Sequence, residues 1–253
     1  SAIAVETIQS RFVAENLQEV VKDEARILAF MKDVVIQADQ DILAHSEEDP
    51  STQGMGTTLV MVWLLGTKAF VCWCGDSRCY VLNKHGGLLR LSKDHSYIQE
   101  LIDKGQLDPQ YASDHPLSNI ITRCLGDTEK RANPDTCVHA LQDGDLIMLC
   151  SDGLCGLCQD DEIITTMTAY RDDVTVCKNE LISAALYNGG FDNVTVALCQ
   201  IQTDQEEGSN EDGELARTIR SGLIGHRMRR VLTMFFFLLL LALAIAAGIY
   251  YYK

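Results

Sequence analysis

The stretch Leu146–Cys150 reads LIMLC, and the chain then runs straight into Ser151, Asp152 and Gly153. A short unbroken apolar run bounded by turn residues is the pattern of a buried strand. The residue that ends it is a carboxylate. Burying an ionised carboxylate without a partner costs several kcal/mol. Asp152 must therefore turn to water or face something positive. The arrangement recurs. AFVCWC leads into Gly75, Asp76 and Ser77, and Asp192 stands just before NVTVALCQI.

The rest of the chain supplies the partners for such strands. Leu28, Met31, Val35, Ala38 and Ile42 step by three and four, as do Val5, Ile8 and Phe12, which predicts helix over residues 2–46. Pro50 and two glycines then break it. Residues 57–82 change period, and TTLVMVWLL, AFVCWC and RCYVL with tight connections read as a β-meander. Ser96 and Gln99 fit a capping box that opens YIQELIDKG, which Gly105 would end. Residues 107–119 form an irregular excursion. IITRCLG and TCVHALQDGDLIMLC return to strand. Two helices come next, the first begun by Asp160 or Asp161, and NVTVALCQI is the last strand.

Composition narrows the partners. The formal charge of −15 argues against nucleic acid, whose phosphates need a basic face. Ten cysteines suggest disulfides, but Cys72, Cys74, Cys150 and Cys199 lie inside apolar runs, where a free thiol behaves as a small hydrophobe. The reading is a reduced, cytosolic protein. Cys155 and Cys158 form one C-x-x-C with no second pair at zinc-ribbon spacing.

Residues 231–252 contain no charge and no proline. Roughly 20 such residues span a bilayer as a helix. Arg227, Arg229 and Arg230 precede the run and three tyrosines close it. The positive-inside rule puts everything before it in the cytoplasm. Residues 203–214 are polar and acidic and read as a linker, and residues 217–230 form a basic juxtamembrane stretch. The division is thus residues 1–202 as a folded domain, 203–230 as linker and juxtamembrane segment, and 231–252 as a transmembrane helix.

Each of Asp76, Asp152 and Asp192 alone has an ordinary reading, because Asp is a common turn residue whose side chain accepts local N–H bonds. Together they suggest one site. Converging carboxylates repel, a hard divalent cation relieves the repulsion, and oxygen-only ligands favour Mg2+ or Mn2+. The residues by themselves leave both readings open.

The motifs GMGTTLV, GDSRCYVL, LSKDHS, NIITRCLGD, DLIMLCSDGL and GGFDNVTV occur in the order found in protein phosphatase 2C. From residue 1 to about residue 202 the chain resembles the bacterial form of that metal-dependent Ser/Thr phosphatase family. The resemblance implies an α+β fold, two antiparallel sheets face to face with helices outside, and metals in a cleft at one end. It implies that Asp152 and Asp192 ligate one catalytic Mg2+ or Mn2+, and that Asp76 contributes to a third, weaker ion. Asn193 and Thr195 would brace the Asp192 turn, and Thr57 and Thr58 would serve strand packing. Arg78 and Arg123 read as structural ion-pair formers rather than phosphate clamps. His95 and His115 read as surface or capping residues. The implied reaction is metal-assisted attack of water on phosphorus in a phosphoserine or phosphothreonine, with no phosphoenzyme. The implied substrates are phosphoproteins, those of a Ser/Thr kinase. Residues 107–119 fall where the family has its flap.

One departure stands at the front. The family's N-terminal acidic ligand, phosphate-gripping Arg and D-G-x-G-G run have no counterpart here, and SAIAVETI resembles the stretch immediately C-terminal to that run in the family. The expectation is a chain that begins inside the domain, lacks the first strands and is inactive alone. The competing reading is an inactive member of the fold that recruits partners at the membrane.

Overall fold

The computed structural model describes residues 1–112 and 115–202. The linker and the apolar span at residues 203–253 lie outside the described residues, and among those described no helix is long and apolar enough to cross a membrane.

The chain opens with α1 (Ala2–Ala14), a short α2 (Leu17–Val20) and the long α3 (Glu24–Glu48). The continuous helix expected over residues 2–46 is thus three segments. Asp23 starts the last of them by accepting the Arg26 N–H at 2.9 Å. Strands β1 (Leu59–Leu65) and β2 (Lys68–Cys74) form a hairpin through Gly66-Thr67, with Gly66 at φ +59. A two-residue hairpin loop needs that positive φ to match the twist of its strands. Next come β3 (Arg78–Leu82), β4 (Leu88–Arg90), α4 (Tyr97–Asp103), β5 (Asp135–Ala140), β6 (Leu146–Cys150), α5 (Asp152–Cys155), α6 (Asp160–Ala169), α7 (Val174–Tyr187) and β7 (Val196–Gln200). Ser96 caps α4 as its spacing predicts, and Gly105 at φ +66 ends it with the paired bonds Gln106 N–H to Leu101 and Gly105 N–H to Ile102.

Two antiparallel sheets result, ordered β1-β2-β5 and β4-β3-β6-β7. The expected meander is therefore wrong in one respect. β1 and β2 pair, but β3 does not continue their sheet. The turn Gly75-Asp76-Ser77 carries the chain across to the other sheet, where β3 pairs with β4 and β6. Residues 120–126, expected as strand, make only isolated bridges, Ser96 with Ile121 and Thr57 with Leu125. The short α5 directly after Ser151 has no forerunner in the sequence pattern.

Alternation along the strands builds three apolar layers. Met61, Trp63, Phe70 and Cys72 pack on α1 and α3, with Phe12, Phe30 and Trp63 edge to face. Val62, Val71, Trp73, Cys79, Val81 and Ile147 fill the space between the sheets. Tyr80, Leu82, Leu146, Met148 and Val196 pack on α5, α6 and α7. Both faces of each sheet are thus covered, which is why the strands read as apolar runs rather than as apolar–polar alternation. Asp39 sits buried in α3 and accepts the N–H groups of Gly126 (2.7 Å) and Ala132 (3.2 Å), which satisfies its charge and ties the 126–132 loop to the helix layer. All ten cysteines are free thiols. Burial pushes Cys72 up to about 12 and Cys74 up to about 11, so both are inert core residues.

Candidate metal centre at the end of the sandwich

The three aspartates sit where strand runs end at one edge of the sandwich. Asp76 lies in the crossing turn between β2 and β3, Asp152 is the first residue of α5 after β6, and Asp192 precedes β7. β6 and β7 pair up to Cys150 opposite Val196, which brings the last two chain segments side by side. Ser151 then staples them. Its N–H donates to Thr195 O (3.1 Å), its hydroxyl donates to Asn193 O (3.1 Å), and Thr195 N–H donates back to Ser151 Oγ (3.1 Å). The expected bracing by Asn193 and Thr195 is therefore a main-chain effect, with Ser151 as its side-chain partner. Asp152 Oδ1 accepts the Gly153 N–H at 3.0 Å, and Asp192 Oδ1 accepts the Asn193 N–H at 2.6 Å.

Gly153 explains the closeness. A Cβ there would stand 2.3 Å from Asn193 O and 2.8 Å from Asn193 C. Only a residue without one lets the two aspartate-bearing segments meet. Gly75, at φ +123, plays the same part beside Asp76, since a Cβ there would meet Thr58 Cβ at 2.5 Å.

Asp76 and Asp152 line one open cleft of about 530 Å³ that runs between α4, the 107–119 excursion and the start of α6. Asp192 is exposed beside it. The carboxylates sense one another in sequence. Desolvation, then the Asp152 charge, pushes Asp76 up to about 6. Desolvation, then the Asp192 charge, raises Asp152. Carboxyls raised by burial and by a neighbouring negative charge, as Asp76 and Asp152 are, fit a hard divalent cation, which would displace their protons. Among the described residues no three His, Cys, Asp or Glu side chains close on one point. An ion held here would take its remaining ligands from water, as Mg2+ commonly does.

The raised carboxyl gives stability a pH dependence. A carboxyl raised from 3.8 to about 6 on folding stabilises the fold while protonated. That stabilisation is complete below about pH 4 and is lost as pH rises through about 6. In chelator, Asp76→Asn is expected to be more stable than the parent above pH 6 by on the order of 1–3 kcal/mol, read as a higher unfolding temperature, with the gap closing near pH 4. A gap independent of pH would show that Asp76 is not strained by its neighbours.

Arg78 is spent within the protein. Nε and Nη2 grip Asp94 (3.0 and 2.7 Å), and Nη1 donates to the Tyr80 hydroxyl (3.0 Å), which donates to Asp160 Oδ1 (2.8 Å). It is a structural ion-pair former, as expected. Arg123 lies 3.4 Å from Asp135. Thr58 Oγ1 lies 2.9 Å from Ser77 Oγ, across the crossing turn. His115 accepts the Leu117 N–H, a local cap. His95 departs from expectation, because it is buried at 6% exposure beneath the Asp76 turn. Asp94, Asp160 and Arg90 also stand on the cleft wall, where sequence reasoning does not put them. Asp94 and His95 belong to the LSKDHS motif, but nothing in the motif says which way either side chain points.

The comparisons agree with this architecture. The profile of the protein phosphatase 2C family matches residues 1–186. The serine/threonine protein phosphatase PstP of Mycobacterium tuberculosis is 33% identical over 196 residues, which cover 77% of this chain but only 37% of that protein. The serine/threonine phosphatase stp of Listeria monocytogenes is 32% identical over 180 residues, 71% of this chain and 70% of the relative. A crystal structure of the catalytic domain of a PstP, in complex with two manganese ions, superposes with a TM-score of 0.66 at 30% identity, over 80% of this chain and 82% of that one. With the sandwich, the stapled strand ends and a profile match that runs through both sheets' central strands, the chain belongs to the protein phosphatase 2C family.

Proposed function

We propose that this protein removes phosphate from phosphoserine and phosphothreonine in proteins, with Asp152, Asp192 and Asp76 holding Mg2+ or Mn2+ ions. The observation that carries the reading is the convergence of Asp76 and Asp152 on one cleft, with the Asp192 segment stapled beside Asp152 through Ser151. Two manganese ions in the related catalytic domain support it. When bound, the cations supply an activated water and offset charge on the phosphoryl oxygens. The chain's own residues fix the ligands. Ser151 and Gly153 hold the Asp152 and Asp192 segments together, and Arg78, gripped by Asp94, anchors the far side of the Asp76 turn. The cleft walls, polar through Arg90, Gln99, Gln110 and Asn119, would receive the peptide around the phosphoresidue. Residues 231–252, preceded by Arg227, Arg229 and Arg230, extend the proposal to a membrane-anchored enzyme whose domain faces the cytoplasm and acts on substrates of a Ser/Thr kinase.

The test is phosphate release from phosphoserine, phosphothreonine and phosphotyrosine peptides by the intact gene product, with Mn2+ and with chelator. Release from the first two only, abolished by chelator, is expected. Peptide binding without Mn2+-dependent release would replace the enzyme with an inactive binding module.

A further inference from the structure

His95 is not among the proposed metal ligands, yet it holds the turn that presents Asp76. Its main-chain N–H donates to Gly75 O at 2.9 Å. Its ring Nδ1 accepts the Gly75 N–H at 3.1 Å. One residue therefore takes both polar groups of the glycine directly before Asp76. The ring is held in turn. It is stacked on Trp73 at 6.2 Å between centroids and 25° between planes, and Trp73 donates its indole N–H to Lys93 O (2.8 Å). The His95 carbonyl accepts the Thr122 N–H at 2.8 Å.

The hydrogen bonds fix the tautomer. An amide N–H only donates, so Nδ1 must carry a lone pair and the proton sits on Nε2. Nε2 lies 3.1 Å from Asp135 Oδ2, which accepts that proton in a hydrogen bond. Arg123 Nη1, 3.4 Å from both Nε2 and Asp135 Oδ2, cannot donate to a protonated nitrogen and belongs with the carboxylate. Burial lowers the His95 pKa, in keeping with a neutral ring. Its neighbour in sequence, Asp94, grips Arg78 on the other side of the turn. The dipeptide Asp94-His95 thus brackets Asp76 from before and after.

We propose that His95 is a positioning residue for Asp76, with its unprotonated Nδ1 fixing the Cys74–Gly75 peptide and its main-chain N–H fixing the Gly75–Asp76 peptide, so that the carboxylate stands ready for a divalent ion. This deepens, and rests on, the assignment of Asp76 as a metal ligand. Residues that orient metal ligands typically change affinity by 10–100-fold when replaced.

The experiment is Mn2+ titration of the intact protein by calorimetry and electron paramagnetic resonance, with thermal unfolding in chelator as control. Asparagine can place an oxygen near the Nδ1 position, whereas glutamine can keep the donor toward Asp135 and lose the Nδ1 acceptor. His95→Gln is expected to weaken the Mn2+ site that Asp76→Asn also weakens by about 10-fold or more, while His95→Asn retains it within about threefold. The ion lost in Asp152→Asn should bind within about twofold of normal in both His95 variants. Equal weakening by Gln and Asn, or weakening that tracks only the loss of thermal stability, would reduce His95 to packing and overturn the proposal. Unchanged Mn2+ binding in His95→Gln would overturn it while leaving the metal assignment intact. No Mn2+ binding by the parent protein would overturn both.

Discussion

Asp152→Asn is expected to lower Mn2+-dependent phosphate release at least about 100-fold while leaving the metal-free fold as stable as before or more so. The two halves of that result distinguish a metal ligand from a turn residue. Asn keeps the shape of Asp and an oxygen to accept the Gly153 N–H that Asp152 holds at 3.0 Å. The local turn is therefore preserved. What disappears is a charge that Asp192 repels and that in turn raises Asp76. Without a cation, removing it relieves strain. With one, it removes a ligand. A purely structural aspartate would show the reverse, a loss of stability with release reduced only in proportion. The check is release of phosphate at saturating Mn2+ beside thermal unfolding in chelator. Full release by Asp152→Asn would sink the assignment.

Gly153→Ala is expected to do comparable damage through a single methyl group. The new Cβ would begin 2.3 Å from Asn193 O, with Asn193 C at 2.8 Å and Val194 Cα at 3.3 Å. All three are main-chain atoms, so no flexible side chain can swing aside. Relief requires the Asp192-bearing segment to move by about 1 Å, and a misplacement of that size in a catalytic constellation costs on the order of 100-fold. Overpacking of this kind costs about 1–3 kcal/mol of stability as well. β6 and β7 remain paired below Cys150 and Val196, so the sandwich itself should survive. By contrast, a Cβ at Gly189 would meet the tip of the exposed Phe191 ring, which can rotate away, although the positive φ of Gly189 still resists a side chain. Calorimetric Mn2+ titration of Gly153→Ala is the direct check, and unchanged affinity would show that the two segments need not touch.

Part of this was written in local pattern. The apolar runs of β2, β3 and β6, the capping of α4 by Ser96 and its stop at Gly105 all depend on neighbours within a few residues, and each lies where the sequence put it. The errors fall where partners are distant. RCYVL reads as the next strand of a hairpin series. Whether it stays in the sheet of β2 or crosses to β6 depends on residues about seventy positions further on, opposite which it pairs. His95 reads as a loop histidine because its burial is created by Gly75, Trp73 and Asp135, none of them close in sequence.

The amino-acid sequence alone determined the kinds of element, their apolar faces and the presence of a carboxylate at the end of three strand runs, because periodicity, capping and turn chemistry act over one or two turns of chain. Only the tertiary structure decided that those carboxylates share an edge, that Gly153 is there to let Asn193 approach, and that Asp94 and His95 hold the Asp76 turn from both sides. Contacts between residues tens of positions apart leave no period in the chain. They arise when two sheets, each hiding both faces, pack together and their strand ends are brought to one edge.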